Sequence, residues 1–309
     1  MRKAETLGRE VQCAPHVHRV RSHSAKVLRY LCCVTWRELQ QAFEQVRGHF
    51  GPSEAKAQWR RWIEAQTGKR YAEIALAGGE PATPEVLKAF DADLADLRSY
   101  RPVQQILGFA YFDDRKFHVN SNVLIPRPET EELVAEAARR APQGARVLDL
   151  GTGSGCIPVA LKLRRPDLQI LGLDCSESAL EVARQNGTEH SAAVTWLRGD
   201  LHQLPPEELK VEVVLSNPPY VTPEDPLEPE VRDFEPALAL FAPPGDPLYF
   251  YRRILEWADR LEARQLGLEC HRAHAEATAQ LAREFGWDST ASVDQFGAPR
   301  WVWGLKTRA

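Results

Sequence analysis

The stretch from Arg146 to Arg165 constrains the fold of this chain more than any other. Arg146-Val147-Leu148-Asp149-Leu150 reads as a strand and Ile157 to Arg165 as a helix, with Gly151-Thr152-Gly153-Ser154-Gly155 between them. A turn this tight needs glycine wherever the backbone takes a positive φ or lies directly against a ligand. Asp149-x-Gly151-x-Gly153-x-Gly155 supplies such positions in alternation. Pro158 is tolerated because it falls in the first turn of the helix.

The strand-then-helix unit recurs. Gln169 to Asp174 is a second strand, Ala179 to Asn186 a helix, Val194 to Leu197 a third strand and Val211 to Ser216 a fourth. Near the end, Leu266 to Glu269 and Trp301-Val302-Trp303 read as further strands around a helix from Ala273 to Phe285. Such alternation implies an α/β domain, a parallel sheet covered by helices, over 127–309. Upstream, 35–100 carries helical spacing: Trp36, Leu39, Phe43 and Val46, then Trp59, Trp62 and Ile63. Thr83 and Pro84 suit the cap and first position of another helix, striped by Val86, Leu87, Phe90, Leu94 and Leu97. An apolar stripe of this kind is core, so a small all-helical domain without a catalytic constellation is expected. Arg101 to Gly108 breaks that rhythm. Ala110-Tyr111-Phe112 and Lys116 to Val119, with Asp113-Asp114 between them, then read as a β-hairpin within a linker over 101–126.

Composition removes several classes. A formal charge of −4 argues against binding duplex nucleic acid through a globally basic surface, leaving only a local patch. Cys13, Cys32, Cys33, Cys156, Cys175 and Cys270 show no paired C-x-x-C spacing, so reduced thiols of a cytoplasmic protein are expected, with neither zinc nor disulfides. His271 and His274 follow Glu269 at a helix start, and no metal is expected there. No apolar run approaches the roughly 18 residues of a membrane span. The start of the chain, 1–34, is rich in arginine and poor in acids, as are transit peptides, RNA-contacting arms and overlong starts from a wrong initiation codon. A solvated, disordered tail is expected, and no function is assigned to it.

Glycine-rich turns serve nicotinamide, flavin and methyl-donor cofactors alike. The acids narrow the choice. Asp174 closes the second strand, where a carboxylate accepts hydrogen bonds from both ribose hydroxyls. Asp200 follows the third, where an acid accepts from an adenine amino group; an aspartate at either place also serves as a helix cap. A nicotinamide-type G-x-G-x-x-G would need its third glycine at Cys156, which favours a loop for S-adenosyl-L-methionine.

Ser216-Asn217-Pro218-Pro219-Tyr220 ends the fourth strand at its carboxyl edge, where open α/β sheets bind ligands. An amide or aromatic amino nitrogen is a poor nucleophile because its lone pair is delocalised. Acceptance of its two N–H groups by the Asn217 side-chain oxygen and the Pro218 carbonyl would aim that lone pair at a sulfonium methyl. The same acceptors bind more strongly as positive charge develops on nitrogen. Pro218 and Pro219 stiffen the turn, and Tyr220 offers a face for stacking. A proline-rich loop that merely ends a strand is the plain alternative; its position beside the glycine loop favours methyl transfer.

Four segments carry a family resemblance over roughly 35–305: Pro102-x-x-x-Ile106-Leu107-Gly108, Ile125-Pro126-Arg127-Pro128-Glu129-Thr130-Glu131, Leu148 to Gly155, and Ser216 to Tyr220. The chain resembles the HemK/PrmC protein-(glutamine-N5) methyltransferases that modify peptide chain release factors. The Asn-Pro-Pro-Tyr turn is shared with DNA adenine methyltransferases; the Pro-Arg-Pro-Glu-Thr-Glu segment is the specific one. The resemblance implies a Rossmann-like catalytic domain joined by a hairpin to a helical domain that helps grip the protein substrate. It implies that Gly151, Thr152, Gly153, Ser154, Gly155 and Asp174 bind S-adenosyl-L-methionine. Asn217 and its turn would hold the Gly-Gly-Gln glutamine of a class I release factor. Arg127 to Glu129 would lie near the cofactor, with Arg127 serving the methionine carboxylate or backbone carbonyls; an ion pair with Glu131 or Glu132 is the alternative. Where relatives often stack an aromatic residue on adenine, this chain has Leu201, so packing there is aliphatic. Leu240 to Asp246 replaces a more glycine-rich stretch. A monomer without stable nucleic-acid binding is expected. The competing readings are N6-adenine methylation of a flipped base, against which the acidic balance stands, and a non-catalytic module, against which the intact motifs stand.

Overall fold

The computed structural model describes residues 34–306; the basic N-terminal stretch lies outside them apart from Val34. Helices α1 (Trp36–Val46), α2 (Pro52–Thr67), α3 (Tyr71–Leu76), α4 (Pro84–Arg98) and α5 (Val103–Leu107) come first. They close over one buried cluster that includes Trp36, Phe43, Trp59, Trp62, Ile63, Leu87 and Leu97. Helix α1 starts at a reciprocal cap, with the Thr35 side chain accepting from Glu38 N and Glu38 reaching back to Thr35 N. Thr83 occupies the cap of α4, but its side chain makes no capping hydrogen bond; Pro84 alone sets that start. The segment expected to break the helical rhythm contains α5, which Gly108 ends at φ 76°.

Strands β1 (Phe109–Phe112) and β2 (Arg115–His118) form an antiparallel hairpin. Asp113 and Asp114 turn it at φ 52° and 58°, the positive values a two-residue hairpin turn needs. Helix α6 (Thr130–Arg140) precedes β3 (Arg146–Leu150), and α7 (Cys156–Arg164), β4 (Gln169–Asp174), α8 (Glu177–Glu189), β5 (Val194–Arg198) and β6 (Val213–Ser216) follow. Short helices α9 (Pro229–Phe234) and α10 (Ala237–Leu240) lead to α11 (Tyr249–Arg260), β7 (Gln265–Glu269), α12 (Ala275–Glu284), β8 (Trp287–Val293) and β9 (Pro299–Lys306). The seven-stranded sheet has the order β5-β4-β3-β6-β7-β9-β8. Its first five strands pair in parallel.

The parallel sheet read from the alternation carries an antiparallel edge: β9 runs antiparallel to both β7 and β8. Only the turn around Asp294 and Gly297 separates β8 from β9, which leaves no length for a crossover. Apolar helices and strands bury the sheet on both faces, as a parallel sheet requires. No helix among the described residues is long and apolar enough to cross a membrane.

One packing detail fixes the glycine loop from behind. Trp196 pairs with Gly172 across β4 and β5, and its ring occupies the space that side chains at three glycines would need. A Cβ at Gly155 would stand 2.8 Å from the ring, at Gly172 2.7 Å and at Gly187 3.0 Å. Gly172→Ala is therefore expected to destabilise the fold by about 1–3 kcal/mol through overpacking. Denaturant melts should show the loss, and adding Trp196→Val should recover part of it. An unchanged midpoint in Gly172→Ala would contradict this packing.

Candidate active site

Strand β3 has β4 on one side and β6 on the other, so the winding direction reverses there. Loops leaving the carboxyl ends on either side of such a reversal open a crevice. The register Val147↔Val213, Leu148↔Val214 and Asp149↔Leu215 brings the glycine loop and the Asn-Pro-Pro-Tyr turn out side by side. Ser216 Oγ donates to the Leu150 carbonyl at 2.6 Å, tying the two exits together in the core.

The glycine loop is held by its backbone. Gly151 N and Thr152 N both donate to the Leu173 carbonyl at 2.9 Å, and Gly155 N to the Thr152 carbonyl at 2.8 Å. Gly151, Gly153 and Gly155 take φ of 73°, 53° and 77°. At Gly151 and Gly153 an added Cβ would meet nothing within 4 Å, so both border open space. Gly155 differs, because its bare Cα lets Trp196 and Ala183 approach. Buried Asn186 donates to the Ser154 carbonyl at 2.8 Å and exchanges hydrogen bonds with the His118 backbone, which fastens the hairpin to the loop.

Asp149 lies beneath this loop. Its Oδ2 accepts from Thr152 Oγ1 at 2.6 Å, while its Oδ1 is buried without a hydrogen-bond partner among the described residues. Burial pushes its carboxyl up to about 7, against the Thr152 hydrogen bond. Asp174 accepts from Gly153 N at 2.8 Å with one oxygen and from Ser176 N at 2.9 Å with the other. It thus shapes the loop, with further lone pairs left on both oxygens. The cap of α8 is Ser176 rather than Asp174. Asp200 is half-exposed, its Oδ1 accepting from His202 N at 2.9 Å and facing His202 Nδ1 at 2.7 Å. Leu201 is buried in the cluster that includes Leu171, Leu173 and Leu255, so its side chain serves the core.

Neither carboxylate named for Arg127 is its partner. Arg127 Nη2 donates to Glu235 Oε1 at 2.6 Å, and the other Glu235 oxygen accepts from Ile125 N at 3.0 Å. Glu235 ends α9 and stands 108 positions away in the chain, beyond the reach of local pattern. The arginine clamps the segment after the Asn-Pro-Pro-Tyr turn to the linker.

At the turn, Asn217 Nδ2 donates to Thr130 Oγ1 at 3.3 Å, and Thr130 Oγ1 donates to Glu269 Oε2 at 2.7 Å. Pro218 is buried, and Pro219 and Tyr220 are half-buried. The Tyr220 ring packs 5.9 Å from His271, and burial raises its hydroxyl well above the ordinary value. Val221 N and Ala242 N hydrogen-bond to Leu240 and Val221 carbonyls, so the unusual Leu240–Asp246 stretch braces the turn. Thr130, Glu235, Glu269 and the free Asp149 oxygen were not read as site features. An acid closing an otherwise apolar strand, as Glu269 does, was the available signal.

Two buried carboxyls titrating near neutrality affect stability in a defined direction. A carboxyl whose folded value is raised stabilises fully below its unfolded value, and that contribution is lost as pH rises through the folded one. For Asp149 the window runs from 3.8 to about 7. The melting temperature should fall across the upper half of that window, and Asp149→Asn should flatten the fall. An unchanged slope in thermal melts at pH 5–8 would show the carboxyl to be solvated.

The comparisons agree with the geometry. Residues 128–234 match the family model of the methyltransferase small domain. The release factor glutamine methyltransferase of Bacteroides thetaiotaomicron is 41% identical over 201 residues, 64% of this chain and 69% of that one. The enzyme of that name from Cereibacter sphaeroides is 39% identical over 242 residues, 76% of this chain and 85% of that one. Among solved structures, the hMettl16 catalytic domain in complex with MAT2A 3'UTR hairpin 6 aligns with a TM-score of 0.50. That alignment covers 69% of this chain and 82% of that one at 16% identity, a likeness of fold alone. A cradle and an Asn-Pro-Pro-Tyr turn at the switch point, with relatives matched over most of their length, make this chain a member of the release factor glutamine methyltransferase family.

Proposed function

We propose that this chain transfers a methyl group from S-adenosyl-L-methionine to the side-chain amide N5 of the glutamine in the Gly-Gly-Gln motif of class I peptide chain release factors. The observation that carries the reading is the junction of the glycine cradle and the Asn-Pro-Pro-Tyr turn through Ser216 and Leu150. Donor and acceptor loops are thereby fixed relative to each other before either ligand arrives, which lowers the ordering needed for reaction.

The residues fit the cofactor. Its α-ammonium group needs an acceptor, and buried Asp149 Oδ1 receives no donor among the described residues. Its ribose hydroxyls need a carboxylate, and Asp174 keeps lone pairs at the mouth of the loop. Gly151 and Gly153 leave room for close approach. Bound there, S-adenosyl-L-methionine supplies an electrophilic methyl group. Asn217 Oδ1 and the Pro218 carbonyl would accept the two amide N–H groups, fixing the nitrogen with its lone pair aimed at that methyl group. The acceptors would stabilise positive charge as it grows on that nitrogen, with S-adenosylhomocysteine as the leaving group and the acidified proton lost to solvent. Tyr220 and Asp200 border the same crevice in this reading, with Tyr220 against the flat amide. The chain acts as a cytoplasmic monomer, and helices α1 to α5 help to grip the release factor.

The test pairs labelled cofactor with a class I release factor, its Gln→Ala variant in Gly-Gly-Gln, and single-stranded oligonucleotides. Label is expected on the normal factor alone; label on the oligonucleotides would overturn the glutamine reading. Asn217→Ala should lower turnover by roughly 10²–10³, the loss typical of one removed transition-state hydrogen bond. Cofactor affinity should change less than threefold. Near-normal turnover at saturating cofactor would remove Asn217 from the mechanism.

A further inference from the structure

Asn217, Thr130 and Glu269 form a line of side chains running from the crevice into the core. They come from three elements: Asn217 just beyond β6, Thr130 at the first position of α6, and Glu269 at the last of β7. Thr130 and Glu269 are 3% and 1% exposed, so solvent does not compete for their hydrogen bonds. A threonine hydroxyl has one proton and two lone pairs. Glu269 Oε2, 2.7 Å away, takes the proton, since a buried carboxylate is costly without a donor. Only a lone pair then remains for the group 3.3 Å away on Asn217, and that group must be the amide nitrogen. Reversing the amide would set its oxygen against an oxygen with no proton to give. With Nδ2 held at Thr130, Oδ1 is turned away from it.

We propose that Thr130 and Glu269 are positioning residues that lock the Asn217 amide with its carbonyl oxygen free for the substrate N–H. The inference rests on the glutamine-transfer reading and extends it to two residues outside the turn. It also gives a chemical use to a carboxylate that hydrophobic packing alone would not place at the end of β7.

The charged surroundings of Glu269 set when the relay holds. Arg300 of β9 and Arg127, just after the linker, favour its ionised form; Glu129, before α6, and burial oppose it. The Tyr220 hydroxyl and Cys270 thiol also lie near it, both neutral because burial raises them. Burial prevails and pushes the Glu269 carboxyl up to about 7. Once protonated, it can donate to Thr130, freeing the hydroxyl proton for Asn217 and letting the amide reverse.

The test measures kcat on a class I release factor at saturating S-adenosyl-L-methionine. Thr130→Val and Glu269→Met should each lower kcat by about tenfold, the scale of one lost neutral hydrogen bond. Cofactor Kd and release-factor KM should stay within about threefold. Thr130→Ser should restore kcat, and the double variant should be no slower than either single, because one relay is broken once. Wild-type kcat should fall below pH 7, while Thr130→Val should lack that limb. Wild-type kcat in Thr130→Val, failure of serine to rescue, or multiplying losses in the double variant would overturn the positioning role. Should Thr130→Val not fold, Glu269→Met against wild type decides. Absence of label on the release-factor glutamine with the wild-type chain would instead sink the underlying reading, and the relay with it.

Discussion

Because β3 pairs in parallel with β4 on one side and β6 on the other, the segments following β3 and β6 must leave the sheet at the same edge as neighbours. Every other feature of the site depends on that pairing. Asp149, Gly151 and Gly153 line one exit, and Asn217 to Tyr220 form the other. The Ser216–Leu150 hydrogen bond prevents the two from sliding apart. A one-residue slip of β6 would exchange buried Val214 and Ser216 with their alternate neighbours and turn Asn217 toward the wrong face. Register is therefore as much a part of the chemistry as the side chains.

The polar groups around these exits are poor choices for stability. Asp149 and Glu269 lie in the core with carboxyls raised by burial, and one Asp149 oxygen has no partner among the described residues. Apolar residues of similar size would fold more securely. Both acids stand at the carboxyl edge of the sheet, one below the cradle and one behind the Asn-Pro-Pro-Tyr turn. Such clustering of strained electrostatics on either side of a crevice is what pre-organised polar chemistry requires. The opposite edge of the sheet offers no comparable pair among the described residues.

Legibility in the sequence followed the range of each interaction. Strands β3, β4 and β6 were readable because strands buried on both faces become continuous apolar runs. The cradle was readable because its glycines alternate within five residues of the chain. Strand β8 was not: Trp287-Asp288-Ser289-Thr290-Ala291-Ser292-Val293 carries a weak apolar alternation, and its Ser289 is buried by donating to the Ala279 carbonyl. Helix α11 had a readable stripe in Tyr251, Ile254, Leu255 and Ala258, but aromatic and charged residues around it obscured the period. Thr130 lies 87 positions from Asn217 and 139 from Glu269, so no local pattern could join them. The Arg127–Glu235 pair escaped for the same reason. Nearby acids at 131 and 132 fit a local rule that the tertiary structure overrode.

The segment that Glu235 anchors also links the helical region to the site. The segment after the Asn-Pro-Pro-Tyr turn is held from three directions. Ile125 of the linker and Arg127 just after it grip Glu235. Gln105 of α5 donates to the Phe234 carbonyl at 2.9 Å, and buried Arg47 lies 3.9 Å from Glu230. Val221, next to Tyr220, hydrogen-bonds to Leu240 at the far end of the segment. A displacement of α5 would therefore pull on α9 and α10, and through Leu240 on the residue following the Asn-Pro-Pro-Tyr turn. Arg47 is itself fixed by Gln58 and the Leu97 carbonyl, which ties it to α2 and α4. Under the proposed function, contact of a protein substrate with the helices would thus be mechanically connected to the turn that would hold its glutamine.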